Sequence, residues 1–188
     1  HGRRDNLSSF SQLLCRSYFG CCEDHGRPDL GHPPAGAILD TGKTMKIYEE
    51  RTIAGDISDV WRIATDVAKW PDWDPHEEAG EIHGPFRAGT TAMSKPRGGP
   101  VARWTLTRVD PLHAWALVNP MPIGKLEVEC CYEALPGNCV RCEKTMQVSG
   151  WILRLLFWLH FEKATRHDMQ STWIALEGRC KELSAELT

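Results

Sequence analysis

Residues 53–75 read IAGDISDVWRIATDVAKWPDWDP, and this stretch contains the change from strand-like to helix-like sequence. Asp56 or Ser58 can cap a short helix that follows a run rich in β-branched and aromatic residues. A second short helical turn is predicted from about Asp66, and it must stop before Pro71 because the residue preceding a proline avoids the α-helical conformation. The stretch therefore predicts a strand followed by two short helices.

The rest of the chain up to residue 149 is typical of strands separated by turns rich in glycine, proline and asparagine. The connections are short, and short connections join neighbouring antiparallel strands. The predicted strands are 46–54 ahead of the two helices and 78–83, 90–94, 101–110, 114–118, 125–135 and 139–149 after them.

Residues 151–187 are helical in pattern throughout, and apolar residues recur in them at alternating steps of four and three. This apolar stripe consists of Met169, Trp173, Leu176, Cys180, Leu183 and Leu187. The same steps extended backward add Ile152, Leu155, Leu159, Glu162 and Arg166, so the stripe is predicted to become polar in its middle. The element order predicts an α+β domain, in which a curved antiparallel sheet of about seven strands wraps around the long C-terminal helix.

Two segments, IAGDISDVW at 53–61 and DVAKWPDWDP at 66–75, resemble the opening of the polyketide cyclase/dehydrase and lipid-transport proteins of the START-like (SRPBCC) superfamily. The resemblance covers about 45–187, including the Val109-Asp110-Pro111 strand end and the helix that follows Gly150. It implies a helix-grip fold with a hydrophobic cavity between the concave sheet and the long helix. Such a cavity takes lipids, sterols, polyketides or other aromatic molecules, but family membership alone does not imply catalysis.

Composition limits the partners that the chain can take. The 188 residues are 41% hydrophobic and carry a net charge of −3, so there is no basic field to attract nucleic acid or an anionic membrane. The longest strongly apolar run, 151–161, is far shorter than the roughly 20 residues of a membrane-spanning helix, which disfavours stable membrane insertion. Eight cysteines lie in a chain with a normal core and no recognisable signal peptide, so we expect reduced thiols and a cytoplasmic location.

The first part of the chain differs in composition from the rest. Residues 1–44 are rich in Gly, Pro, Arg, His and Cys and lack periodicity, and Met45 is the first methionine. We expect 1–44 to be a disordered leader of upstream or non-native sequence, and 45–188 to be the START-like domain. A native tail or targeting segment is the alternative, which acidic residues such as Asp5, Glu23, Asp24 and Asp29 disfavour.

The alternation of two strands predicts which side chains face the cavity. Leu126, Val128, Cys130, Tyr132 and Ala134 share one face, and so do Val140, Cys142, Met146 and Val148 on the next strand. For each of these residues, ordinary core packing is the competing interpretation. The predicted ligand-binding residues are Trp73, Arg103, Leu126, Val128, Tyr132, Met146, Leu155, Leu159, Glu162, Arg166 and Met169.

No cofactor or metal site is predicted. Cys139 and Cys142 have the spacing of a redox motif, but residues three apart on a strand point to opposite faces. Cys131 would lie across the hairpin from Cys142 if the turn were two residues long, which makes a disulfide conceivable. The loose cluster of His76, Glu78, Glu81 and His83 lacks regular ligand spacing and is more typical of a solvated strand edge.

Three functions are compatible with the sequence. The first is binding or transport of a small hydrophobic molecule, which the mostly apolar cavity face favours. The second is an aromatase/cyclase-type enzyme, with Tyr132, Glu162 and Arg166 as candidate proton-transfer groups. The third is a protein-interaction module that uses the exposed aromatic start of the long helix, and a homodimer is one form that it can take.

We predict that a chain beginning at Met45 is as stable as the full chain, because a leader without core contacts contributes little. Thermal melts of the two chains, side by side, test this. A loss of more than a few degrees on truncation would contradict the prediction.

Overall fold

The computed structural model describes residues 44–186, so the predicted leader lies outside the described residues except for Thr44. The elements are β1 (Thr44–Ala54), α1 (Ile57–Thr65), a 3₁₀ turn (Val67–Lys69), α2 (Trp70–Trp73), β2 (Glu77–Ile82), β3 (Thr91–Pro96), β4 (Ala102–Asp110), β5 (Ala114–Met121), β6 (Gly124–Leu135), β7 (Cys139–Ser149), α3 (Trp151–Leu156), a π-helical turn (Phe157–Phe161) and α4 (Glu162–Glu186). The predicted α+β helix-grip fold, with two short helices after the first strand, is confirmed.

The seven strands form one antiparallel sheet in the order β1-β7-β6-β5-β4-β3-β2. The chain runs from strand to neighbouring strand between β2 and β7, and β1 pairs with β7 to complete the sheet. β1 and β2 are therefore the two edges. The sheet curls into a half-barrel, and its concave side is the side that the helices cover.

The local sequence explains how α1 begins. The Asp56 side chain accepts a hydrogen bond from the Ser58 backbone N–H at 2.8 Å, so Asp56 is the N-cap. Hydrogen bonds from the backbone and side chain of Ser58 lower the pKa of the Asp56 carboxyl, because they stabilise its charged form. Val60, Ile63 and Ala64 are buried on the face that packs against the sheet.

Two expectations about the strands are corrected. β5 continues through Pro120 to Met121, where pairing to β4 has already ended at Val118, so the proline interrupts no ladder on that side. The turn between β6 and β7 contains three residues, and Cys131 consequently lies opposite Glu143. The conceivable disulfide between Cys131 and Cys142 is therefore wrong, and both are free thiols.

The stripe of the long helix is confirmed in α4, where Met169, Trp173, Leu176 and Cys180 are buried. Its backward extension is wrong, since Leu155 is 48% exposed and Leu159 is 53% exposed. The π-helical turn contains more residues per turn than an α-helix. Residues spaced by fours and threes across it therefore do not stay on the same face of the helix. In α3 the buried residue is Leu153, and Phe157 follows it on the same side.

Gly80 on β2 allows the 3₁₀ turn to approach the sheet closely. A Cβ at this position would lie 2.1 Å from the carbonyl oxygen of Val67, which is backbone and cannot rotate away. The turn leads directly into α2, and β2 carries Glu77. Gly80 thus sets the distance between the short helices and the edge strand beside the candidate site.

We predict that Gly80→Ala lowers the free energy of unfolding by about 1–3 kcal/mol, because the backbone of the 3₁₀ turn must move to relieve the overlap. Gly178→Ala in α4 is the matched control, since a Cβ there meets nothing within 4 Å. The control is expected to be neutral or to gain up to about 1 kcal/mol. Urea titrations of both variants measure the difference, and equal midpoints would contradict the prediction.

Candidate ligand-binding site

A chain of aromatic rings lines the concave side of the sheet beneath the helices. Tyr132 on β6 lies 6.5 Å from Trp173 of α4 and 5.9 Å from Trp61 of α1, both edge to face. Phe86 continues the chain from Trp61 to Trp115. The Trp115 indole Nε1 donates to the Tyr132 hydroxyl at 3.1 Å, which satisfies this buried phenol in part. The wall is therefore apolar, rigid and rich in π surface.

The middle of the concave face is less covered than its ends. Val128 and Val148 are buried there, whereas Leu126, Lys144 and Met146 also face inward by strand alternation but are only half-buried. Leu126 and Met146 contact both of the hydrophobic clusters that make up the core. Leu126 and Met146 thus mark the part of the concave face where the two clusters meet and where burial is incomplete.

A lysine of the concave face interacts electrostatically with a glutamate of the far edge strand. Lys144 is on β7, and Glu77 is at the start of β2, at the far edge of the sheet. Burial and, to a smaller extent, the nearby Asp74 carboxylate raise the pKa of the Glu77 carboxyl to about 7, while the Lys144 ammonium opposes the rise. Among residues 44–186 no ion pair joins Glu77 to Lys144, so the two charges influence each other across intervening space.

Glu77 and two tryptophans of the hydrophobic core each carry a buried polar atom that lacks a hydrogen-bond partner within the described part of the chain. These atoms are Glu77 Oε2, Trp73 Nε1 and Trp173 Nε1. Buried polar atoms are normally paired, because an unpaired one costs about 1–3 kcal/mol. One acceptor and two indole donors are thus left unpaired within the described part of the chain.

The buried thiols of the interior are unreactive in this environment. Burial raises the pKa of the Cys130 thiol to about 12 and that of the Cys180 thiol to about 11, and it raises the pKa of Cys142 further. A neutral thiol is a poor nucleophile and a poor metal ligand. These cysteines therefore contribute soft apolar surface to the wall.

The sequence profile described as "Polyketide cyclase / dehydrase and lipid transport" matches residues 44–180. The chain belongs to this family. A search of curated proteins found no significant match. The family assignment agrees with the resemblance that the 53–61 and 66–75 segments carry.

Solved structures with the same fold are distant in sequence. A START superfamily protein from Mycobacterium smegmatis is 14% identical with a TM-score of 0.60. The alignment covers 76% of this chain and 99% of that protein. Norcoclaurine synthase from Thalictrum flavum, in complex with dopamine and hydroxybenzaldehyde, is 15% identical with a TM-score of 0.60, at 83% and 98% coverage. The aromatase/cyclase Zhui from Streptomyces sp. R1128 is 16% identical with a TM-score of 0.54, at 73% and 94% coverage. At these identities the likeness concerns the fold alone.

Six of the eleven predicted site residues belong to the two hydrophobic core clusters or pack against them. These are Trp73, Leu126, Val128, Tyr132, Met146 and Met169. Arg103 faces outward, because its neighbour Trp104 is the inward-facing residue of β4. Leu155 and Leu159 lie away from the sheet, because the π-helical turn breaks the phase of the stripe. Glu162 and Arg166 lie elsewhere, at the sheet edge.

Arg166 connects α4 to the edge strand β1. Its Nη1 donates to Glu49 Oε1 at 2.7 Å and to the Tyr48 carbonyl at 3.2 Å, and Nη2 lies 3.4 Å from Glu162 Oε1. Gln170 donates to the second oxygen of Glu49 at 2.6 Å. The pair was expected either to face the cavity or to be solvated, and instead it is half-buried and joins helix to strand.

Glu77 and Lys144 are absent from the site residues predicted from the sequence. Lys144 had a visible signal, since alternation places it on the same face as Cys142 and Met146, where a charge interrupts an apolar row. Glu77 had none, because the register between β2 and β3 shifts between Glu77 and Ala79. Only the folded sheet brings the two side chains to one region.

His76, Ser171 and Asp168 also come together in a way that the sequence does not reveal. His76 Nε2 lies 2.6 Å from Ser171 Oγ, and His76 Nδ1 lies 3.5 Å from Asp168 Oδ1. Ser171 Oγ also lies 2.9 Å from the His167 carbonyl oxygen. The tautomer of the His76 ring decides whether the Ser171 hydroxyl donates to Nε2 or accepts from it. In either case the three side chains hold the loop before β2 against α4.

A cleft of about 240 Å³ lies outside the concave face, between α1, α2 and the end of α4. Its cations are paired, for example Arg62 with Asp59 at 2.8 Å and Arg179 with Glu182 at 2.9 Å. Trp73 is the one predicted site residue among those that line it. Its charged lining does not suit a hydrophobic ligand.

We predict that Arg166→Ala lowers the free energy of unfolding by about 1–3 kcal/mol, because it leaves two half-buried carboxylates, Glu49 and Glu162, without their cation. Arg108→Ala is the matched control. The Arg108 pair with Glu129 is 54% and 40% exposed, against 22% and 18% for Arg166 and Glu49, and its loss should cost about 0.5 kcal/mol or less. Thermal melts of both variants measure the loss of stability. A melt of Arg166→Ala that overlays the parent would show that the contacts of Arg166 with Glu49 and Glu162 do not stabilise the fold.

Proposed function

We propose that this chain binds a small, mostly apolar molecule with one polar group on the concave side of its sheet. The observation that carries the proposal is the pairing of an aromatic wall with Glu77 and Lys144, two charges that interact without forming an ion pair. Ligand sites are typically apolar clefts with a few polar groups that fix orientation. Family membership supports the same class of function.

The polar atoms of the site suit a carbonyl or hydroxyl. The Lys144 ammonium and the indole N–H groups of Trp73 and Trp173 are donors, and Glu77 Oε2 is an acceptor. A ligand carbonyl would accept from Lys144, and a hydroxyl would bridge Lys144 and Glu77. The aromatic rings around Tyr132 would contribute affinity through burial of apolar surface, without regard to the polar group.

A proton-transfer enzyme of the aromatase/cyclase type is the second candidate, and Glu77 is the observation that favours it. A carboxyl with a pKa of about 7 can both give and take a proton near neutral pH. Lys144 is placed to stabilise negative charge that develops on a ligand oxygen. This arrangement replaces Tyr132, Glu162 and Arg166 as candidate proton-transfer groups.

We predict that Lys144→Met removes the preference for a polar group without removing ligand binding. The measurement is calorimetric titration with naphthalene and with 2-naphthol, which differ by one hydroxyl. The parent should favour the naphthol by about tenfold to a hundredfold, the value of a hydrogen bond to a charged group, and the variant should bind both about equally.

Lys46→Met is the matched control for that titration, because Lys46 is an exposed lysine on the edge strand β1. It should retain the parent's preference. Equal discrimination by the Lys144→Met variant, or a parent that binds neither compound, would count against the proposed site.

We predict a pH-dependent effect of Glu77→Gln on stability. The Glu77 pKa is about 7 in the folded chain and about 4.5 when unperturbed, so between these values the folded state holds a proton that the unfolded state has released. Its contribution to stability therefore falls as pH rises through this window. Melts at pH 5 and pH 8 should show Glu77→Gln gaining stability relative to the parent at the higher pH.

Glu78→Gln is the control for the pH experiment. Glu78 is the next residue on β2, and its hydrogen bond and charge interaction with Lys95 lower its pKa. The contribution of a carboxyl with a lowered pKa is already complete at pH 5 and stays constant up to pH 8. Glu78→Gln should therefore show no gain in stability relative to the parent between these two pH values. The same pH trend in both variants would rule out a special environment for Glu77.

A further inference from the structure

A large apolar surface lies at the start of the long helix, on the side away from the sheet. We call it the aromatic patch, and it consists of the exposed residues Trp151, Ile152, Leu155, Leu156, Trp158, Leu159 and Phe161. Trp151 is 75% exposed and Trp158 is 62% exposed. Large contiguous apolar surfaces of this kind mark interaction sites.

The patch is the outer face of a helix that is apolar on both sides. At about 100° per residue, Leu153 and Phe157 lie on the side that contacts the sheet, whereas Trp151, Leu155 and Trp158 are centred on the opposite side. A helix with apolar residues all round is normally covered on all sides. Within residues 44–186 no element covers this outer face.

A second element extends the patch. Ile123, at the tip of the β5–β6 hairpin, is also exposed. Its backbone lies against the start of α3, since a Cβ at Gly150 would be 2.4 Å from the Ile123 carbonyl oxygen. The patch is therefore a broad surface formed by a helix and a hairpin tip, rather than a groove that would fit one partner helix.

The patch segment itself carries no acidic side chain, and the acid that follows it, Glu162, lies 3.4 Å from Arg166. From residue 149 to residue 161 the chain contains no Asp or Glu, although the whole chain has a net charge of −3. Arg154 and His160 flank the apolar ridge on either side, and the exposed Lys163 follows it. Aromatic and leucine side chains with flanking basic residues are typical of surfaces that lie in a lipid headgroup region.

We propose that the aromatic patch docks this chain onto the surface of a bilayer that contains anionic phospholipids. Trp151 and Trp158 would place their rings at the level of the headgroups, where an apolar ring with a polar N–H is favoured. The exposed Lys163 beside the patch would contact lipid phosphates. None of the described helices is long and apolar enough to span a membrane. The docking is independent of which ligand the concave side takes.

Co-sedimentation of the full chain with vesicles tests the proposal. The parent should sediment with phosphatidylcholine vesicles that contain phosphatidylserine, and less with phosphatidylcholine alone. The double variant Trp151→Gln/Trp158→Gln should bind at least about tenfold more weakly, because two large apolar side chains no longer enter the interface. Both positions are exposed, and a thermal melt checks that the variant is folded.

Ile174→Gln is the matched control, since Ile174 is an exposed apolar residue of α4 outside the patch. It should bind vesicles like the parent, and Trp158→Gln alone should lie between the parent and the double variant. The proposal is overturned if the parent stays in the supernatant, if the two vesicle types bind it equally, or if the double variant sediments like the parent. It is also overturned if analytical ultracentrifugation finds a parent dimer that the double variant converts to a monomer, since a second copy then covers the patch.

Discussion

The candidate site depends on the curl of the sheet. Glu77 lies on β2, five strands away from β7, which carries Lys144. In a flat sheet five strand spacings would separate the two side chains by roughly 24 Å, a distance at which charges are largely screened. The curl brings Lys144 close enough to oppose the rise in the pKa of the Glu77 carboxyl. It also leaves a concave surface that a single helix cannot cover evenly, and the helices meet it in two apolar clusters with a less covered region between them.

The architecture could be predicted from the sequence because it rests on local signals. Alternation on β6 and β7 predicts correctly that Val128, Cys130 and Val140 face the interior, and the four-three spacing predicts the buried face of α4. The register of the β6–β7 hairpin could not be predicted in the same way. Gly137 and Asn138 both adopt positive φ, which lengthens the turn by one residue and moves Cys131 away from Cys142.

The site was less predictable than the fold, because its polar groups come from residues that are distant in sequence. Arg166 has the spacing of a pair with Glu162, but its shorter contact is to Glu49, on the edge strand. Glu77 gains its environment from a bulge and from a strand on the opposite side of the sheet. The π-helical turn likewise has no simple sequence signal, yet it determines which leucines of the long helix face outward.

The buried thiols have a consequence for the behaviour of this chain in solution. Cys130, Cys142 and Cys180 line the interior as neutral groups, and each becomes an ordinary thiol when the helix or the sheet edge separates locally. Alkylation of these cysteines by a small reagent is therefore limited by how often the interior opens. Mass spectrometry can follow the alkylation of each thiol separately, so the alkylation rates measure how often the interior opens. The alkylation rates of Cys130 and Cys142 report on exposure of the sheet, and the rate of Cys180 reports on exposure of α4. Comparing the three rates distinguishes separation of the helix from the sheet from fraying of the helix alone.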